Sequence, residues 1–187
     1  MNSQQIKNLI EIMGKFKQLK RSGWLRHKVT APESDAEHSF SLALSALLFA
    51  PKHLDKTKCL EMALIHDLAE IYAGDYTPID NITPKEKAQK EKEGIIKIAQ
   101  MLEYPQMIEL FDEFEQKNTK ESIFVNALDK LDNVITASYY DQNNRSEDKL
   151  VPEFSAYARK KIDELGNNDM LQPIKDILSN LTNHEAN

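Results

Sequence analysis

The chain has 187 residues with 24 Lys and Arg against 30 Asp and Glu, a net charge of −6, which suits one domain over residues 1–187 with a full core and excludes a general binder of nucleic-acid polymers. A single cysteine, Cys59, excludes a disulfide framework and a cysteine-rich zinc site. No apolar run approaches 18 residues and the Met-Asn-Ser-Gln-Gln start lacks a signal-peptide pattern, so the expected location is the cytoplasm, away from membranes.

Glycine is scarce and no segment alternates with period two for long, which predicts an all-α fold. Ser3 can cap a first helix, in which Ile6, Leu9, Ile10, Met13 and Phe16 recur at helical spacing and read as core. Between Glu11 and Glu33 there is no acidic residue, while Lys15, Lys17, Lys20, Arg21, Arg26 and Lys28 supply six positive charges, so the rest of the chain sums to −12. Such a run is ordinarily a solvated helix face. Here it brackets Ser22-Gly23-Trp24, a turn with the only tryptophan. A cationic patch beside a flat aromatic suits a phosphate joined to a ring, which describes a nucleotide.

In Pro32-Glu33-Ser34-Asp35-Ala36-Glu37-His38, Ser34 and Glu37 form a capping box. A helix is predicted to start there, with His38 in its first turn and Ala36, Phe40, Ala43, Leu44, Leu47 and Leu48 as its apolar stripe. His53, after Pro51, reads as an exposed loop residue. Residues 60–73 are apolar almost all round, the pattern of a helix in the middle of a domain, yet they include His66, Asp67 and Glu70. His66 and Glu70 are four apart and share a face, with Asp67 one position round. Gly74 ends the helix and Asp75 follows at its mouth. Chance alone supplies about 0.3 His-Asp dipeptides in a chain of this composition, and a helix-interior ion pair would account for one. Ionisable groups this dense in an apolar helix read instead as a metal-and-proton site.

Residues 76–83 read as a loop. Thr83-Pro84-Lys85-Glu86 restarts the chain with a cap and Pro at the first helical position. The helix that follows reads as a solvated charged arm to Glu93 and as amphipathic through Leu102. Tyr104-Pro105 breaks it, and a shorter helix carries Met107, Leu110, Phe111 and Phe114. Asn118 or Thr119 opens another, with Phe124, Ala127, Leu128, Leu131 and Ile135 as its buried stripe. Asp129 and Asp132 sit within it, where an Asp is ordinarily on the surface. Residues 141–148 read as a polar loop, Pro152 as the start of a helix ending near Gly166, Pro173 as the start of the last helix, and the tail from Thr182 as frayed.

His38, His66, Asp67 and Asp129 together offer two imidazoles and two carboxylates. Such N and O donors suit a divalent Mn, Co, Fe, Ni, Zn or Mg ion and leave positions free for water and substrate. The runs Gly-Trp…Pro-Glu-Ser-x-x-Glu-His, His-Asp-x-x-Glu-x-x-x-Gly-Asp and Leu-Asp-Lys-Leu-Asp resemble the HD-domain phosphohydrolases. Within that family they are similar to the 5′-deoxynucleotidase group, over about residues 19–140. The resemblance implies an all-α HD-domain helical bundle, a homodimer, and removal of phosphate from deoxyribonucleoside 5′-monophosphates. It implies His38, His66, Asp67 and Asp129 as metal ligands, Glu70 as the catalytic carboxylate with Asp75 beside the attacked phosphate, and Trp24 next to the sugar. Some members place an arginine directly before that tryptophan to orient the phosphate. Here the residue is Gly23, so Arg21 or Arg26 is expected to do that work.

Two alternatives stand beside this reading. A nucleoside triphosphate or cyclic nucleotide hydrolase of the same family would need further cationic side chains around the phosphates, and no second cluster shows beyond residues 15–28. A non-catalytic nucleotide-binding regulatory protein would have no need of Glu70 and Asp75 as proton carriers.

Overall fold

The computed structural model describes residues 2–77, 79–166 and 168–183. Among these the chain is helical, with one isolated bridge between Lys20 and Ser34. The helices are α1 (Ser3–Gln18), α2 (Ser22–Arg26), α3 (Asp35–Phe49), α4 (Lys56–Ile65), α5 (Glu70–Ala73), α6 (Pro84–Leu102), α7 (Gln106–Gln116), α8 (Lys120–Gln142), α9 (Leu150–Glu164) and α10 (Gln172–Asn183). No helix among the described residues is long and apolar enough to cross a membrane.

Local chemistry sets most helix starts. Capping boxes open α1 from Asn2 and Gln5, α3 from Ser34 and Glu37, α6 from Thr83 and Glu86, and α8 from Thr119 and Ser122. The long helix α8 runs through the middle, and α3, α4, α7, α9 and α10 all pack against it. Its Val125, Ala127, Leu131 and Val134 meet Leu42, Met62, Leu150 and Ile162 in one apolar cluster. A second cluster gathers Ile12 and Phe16 of α1, Leu68 and Ala69, Ile95 and Ile98 of α6, and Phe111 of α7. The metal-binding candidates lie where α3, the α4–α5 junction and α8 come together.

Several expectations change at the level of which face points inward. In α1 only Ile12 and Phe16 are buried, while Ile6, Leu9, Ile10 and Met13 stay exposed. In α3 the expected stripe is mostly turned outward. Ala43 is buried with Leu42 and Ala46, but Phe40, Leu44, Leu47 and Leu48 are exposed. The reason is the chemistry opposite: Asp35, His38 and Ser39 take the inward face, because a ligand set must converge. In α8, Ile135 is exposed while Asp129, Asp132 and Asp141 are buried. Asp141 belongs to the helix rather than to a polar loop, and its carboxylate accepts the amides of Leu150 at 3.0 Å and Val151 at 3.1 Å. That contact starts α9 two residues before Pro152. The turn at Ser22-Gly23-Trp24 is the short helix α2. At the far end α10 continues through Thr182 and Asn183, and the rest of the tail expected to fray lies outside the described residues.

The expected helix over residues 60–73 is broken. It ends at Ile65, resumes at Glu70, and His66 to Ala69 form a tighter turn in which Leu68 N–H donates to Ile65 O and Glu70 N–H to Asp67 O. The helix is not apolar-buried all round either, since Leu64 is half exposed. The charged start of α6 is likewise not wholly solvated. Glu91 and Gly94 are buried, and a Cβ on Gly94 would fall 2.6 Å from the Ala69 carbonyl oxygen. Only a glycine lets α6 come this close to the broken turn.

Candidate metal centre

His66 and Asp67 are neighbours in the chain at the start of the broken turn, where His66 keeps helical φ and ψ of −56° and −40°. Here His66 Nε2 lies 3.0 Å from Asp67 Oδ2. His38, in the first turn of α3, adds its Nε2 at 3.3 Å from His66 Nε2, 3.7 Å from Asp67 Oδ2 and 3.1 Å from Asp129 Oδ1. Donor atoms of His38, His66 and Asp129 all fall within 4.8 Å of one another. Three of the four expected ligands therefore gather from separate stretches of chain, and Asp67 stands beside the two histidines.

Each imidazole is oriented through its other nitrogen. His38 Nδ1 is 2.8 Å from Asp132 Oδ2, and His66 Nδ1–H donates to the Ala63 carbonyl at 3.0 Å. Both Nε2 atoms are thereby freed for a cation, the arrangement common to histidine-ligated metals. Asp132 is a functional candidate that sequence reasoning passed over. Its signal was its spacing, three residues after Asp129 and so on the same face of α8. Burial opposes the charged state of Asp67, but His66, Arg21 and His38 outweigh it and hold its carboxyl well below the usual range. Burial likewise opposes Asp129, and Lys130 and His38 outweigh it there. Both carboxylates are thus ionised as ligands must be. Two soft-to-borderline nitrogens and two hard oxygens fit a divalent first-row ion or Mg.

A second acidic group adjoins the first. Donor atoms of Asp35, Glu70 and Asp75 lie within 4.8 Å of one another, so these three also could hold a cation. Both oxygens of Asp35 and Oε2 of Glu70 lack a hydrogen-bond partner among the described residues. Burial, followed by the charges of Asp67, Asp75 and Asp35, raises the Glu70 carboxyl well above its ordinary value, with Lys87 acting the other way. Asp75 is tied to the start of α2, where the Ser22 amide donates to its Oδ2 at 2.5 Å.

Two cavities open on this centre, of about 320 and 900 Å³, and Asp67, Glu70, Lys87, Asp129 and Lys130 line both. The smaller also takes in Arg21, Trp24, Arg26, Asn133, Phe154 and Tyr157. Arg21 reaches furthest in, with its guanidinium donating to Asp67 Oδ2 at 2.8 Å and to Asn133 Oδ1 at 3.1 Å. Arg26 stands at the rim, paired with Glu153. Trp24 is 1% exposed. Its ring stacks on Phe154 at 4.3 Å, meets Tyr140 edge-on, and donates Nε1–H to Glu33. It is therefore a core residue that also contributes to the cavity wall. The absence of a second cationic group, expected from the sequence, is corrected: Lys87 from α6 and Lys130 from α8 stand beside the metal candidates. Neither Lys87 nor Phe154 carried a local signal, since a lysine in a charged helix and a phenylalanine in an amphipathic one are ordinary.

The family model for the HD domain matches residues 13–168. A 5′-deoxynucleotidase HDDC2 from Bos taurus is 31% identical over 166 residues, covering 86% of this chain and 81% of that protein. The 5′-deoxynucleotidase HDDC2 of Dictyostelium discoideum is 39% identical over 152 residues, covering 75% and 80%. Among solved structures, the PH0347 protein from Pyrococcus horikoshii OT3 superposes with a TM-score of 0.75 at 29% identity, over 94% of this chain and 97% of that one. With two histidines and two aspartates gathered on a helical scaffold, and a family model spanning most of its length, the chain belongs to the HD-domain family.

Proposed function

We propose that this chain is a metal-dependent 5′-deoxynucleotidase, hydrolysing deoxyribonucleoside 5′-monophosphates to deoxyribonucleosides and phosphate. One observation carries the reading. Donor atoms of His38, His66 and Asp129 lie within 4.8 Å of one another, with Asp67 Oδ2 3.0 Å from His66 Nε2, and Asp67 and Asp129 open this cluster to a cavity of about 320 Å³, a size within the ~300–1,000 Å³ range of small-molecule sites. The names of the curated relatives support the substrate class.

In this reading His38, His66, Asp67 and Asp129 hold a divalent ion. Bound there, such an ion supplies an activated water and an electrophile for the phosphoryl group. The chain's own residues do the rest. Arg21 and Lys130 face the cavity as cations and meet the charge of the phosphoryl oxygens. Glu70, buried and raised in pKa, carries a proton to the leaving 5′-oxygen. Asp75 stands beside the attacked phosphate, fixed by Ser22. The nucleoside lies against Trp24, Phe154 and Tyr157, with the rigid indole closing the space at C2′ of the sugar.

The same reading includes a homodimer. Ile10, Phe40, Leu48 and Phe49 are all more than 60% exposed, on α1 and α3, which pack on each other. Large apolar side chains this exposed on two neighbouring helices suit a surface that a second copy covers.

Phosphate release should be measured over mono-, di- and triphosphates of deoxyribo- and ribonucleosides, each with several divalent ions. Deoxyribonucleoside monophosphates should be hydrolysed fastest, and only with metal. Faster release from triphosphates, or none from any nucleotide, would overturn the assignment.

A further inference from the structure

We propose that Lys87 is a positioning residue of this site: reaching in from α6, its ammonium holds the Glu70 carboxyl in place for proton transfer. The inference rests on the 5′-deoxynucleotidase reading and deepens it. Glu70 begins α5, a helix of only four residues that follows the broken turn. Three carboxylates, Asp35, Asp67 and Asp75, surround it. Among the described residues Lys87 is the one cation within ion-pair reach, with Nζ 3.8 Å from Glu70 Oε1. The same Nζ lies 3.3 Å from Glu91 Oε1, one helical turn on, so the ammonium is itself held from the far side. The opposite oxygen, Glu70 Oε2, has no hydrogen-bond partner among the described residues, so the Lys87 side is where the carboxyl is held. The support for α6 is equally specific. Gly94 sits against the carbonyl of Ala69, the residue just before Glu70, where a Cβ would come within 2.6 Å. Helix α6 is thus locked to the segment that carries Glu70, and Lys87 projects from its first turns onto that carboxyl.

The test compares Lys87→Met, Lys87→Arg, Glu70→Gln and the double variant Lys87→Met/Glu70→Gln in the full chain. Lys87→Met should bind metal as tightly as wild type by chelator competition and keep KM for a deoxyribonucleoside monophosphate within about threefold, while kcat falls by about tenfold or more. Lys87→Arg should recover most of that loss. In the Glu70→Gln background the Lys87 change should be silent, because a residue acting through Glu70 has nothing left to hold. Unchanged kcat, a loss confined to KM, or a full-sized effect without Glu70 would each overturn the role. A crystal structure of metal-loaded Lys87→Met separates this inference from the reading beneath it. Glu70 swung away from its wild-type position supports the positioning role even if wild type hydrolyses no monophosphate. An unmoved Glu70 sinks it.

Discussion

The Nε2 atoms of His38 and His66 face each other at 3.3 Å although 28 residues separate them in the chain. Each ring has committed its other nitrogen, to Asp132 in one case and to the Ala63 carbonyl in the other. Two imidazole lone pairs aimed at one point are comfortable only with a cation or a shared proton between them.

Metal content should follow from that geometry. His38→Ala and Asp129→Ala are expected to lose bound metal while keeping their helical circular dichroism. Asp132→Ala keeps all four donors but releases the His38 ring, and should weaken metal affinity by about 10–100-fold. Elemental analysis and metal titration check both. Full occupancy in the His38 and Asp129 variants would remove the site assignment.

The metal-free protein should lose stability as pH rises. Burial and Arg21 disfavour a charged His38, but hydrogen bonds to Asp129 and Asp132 prevail and raise its pKa from 6.5 to about 9. Burial, then the charge of Asp67, raises Asp35 to about 8 against the pull of Arg21. In both cases the folded chain keeps a proton that the unfolded chain has given up. The His38 contribution is therefore fully present below 6.5 and gone above about 9, and is on the order of 3 kcal/mol. A metal must displace that proton, so metal affinity should climb by up to about tenfold per pH unit over the same window. Urea unfolding of chelator-treated protein at pH 6.5, 8 and 9.5 reads the first effect. A midpoint that rises with pH would show that His38 is not held charged.

Trp24 makes two separable contributions. Its packing between Phe154 and Tyr140 means that Trp24→Ala should cost about 3–5 kcal/mol of stability. As part of the cavity wall it should also exclude a 2′-hydroxyl more strongly than the ~10²-fold that a merely apolar pocket achieves. The variant, kept folded and metal-loaded at low temperature, should therefore show a higher kcat/KM for AMP relative to dAMP. An equal ratio in wild type and variant would leave Trp24 as core alone.

The apolar face on α1 and α3 gives a prediction about assembly. Phe40 and Leu48 are 67% and 63% exposed and lie away from the metal ligands on α3, so Phe40→Glu with Leu48→Glu should leave the fold intact. Light scattering should report a dimer for wild type and a monomer for the double variant. A monomeric wild type would refute the assembly.

Much of this protein is written in short-range chemistry. A capping box joins residues three apart and needs no neighbour, so the starts of α3 and α6 were legible from Ser34 with Glu37 and Thr83 with Glu86, while α8 was narrowed only to Asn118 or Thr119. The candidate ligands were named from the sequence as well, His66 and Asp67 because ionisable groups in an apolar stretch need a partner, and His38 and Asp129 with them through the family resemblance. What the tertiary structure decided is orientation. Whether Phe40 or His38 faces inward depends on what stands opposite, and α3 carries apolar residues on both sides. The break at residues 66–69 depends on the carbonyl of Ala63 meeting a ring nitrogen and on α6 pressing against Ala69 through Gly94. Lys87 could become a neighbour of Glu70 only once that close approach was made, since a charged residue is assigned to solvent until another helix takes the solvent away.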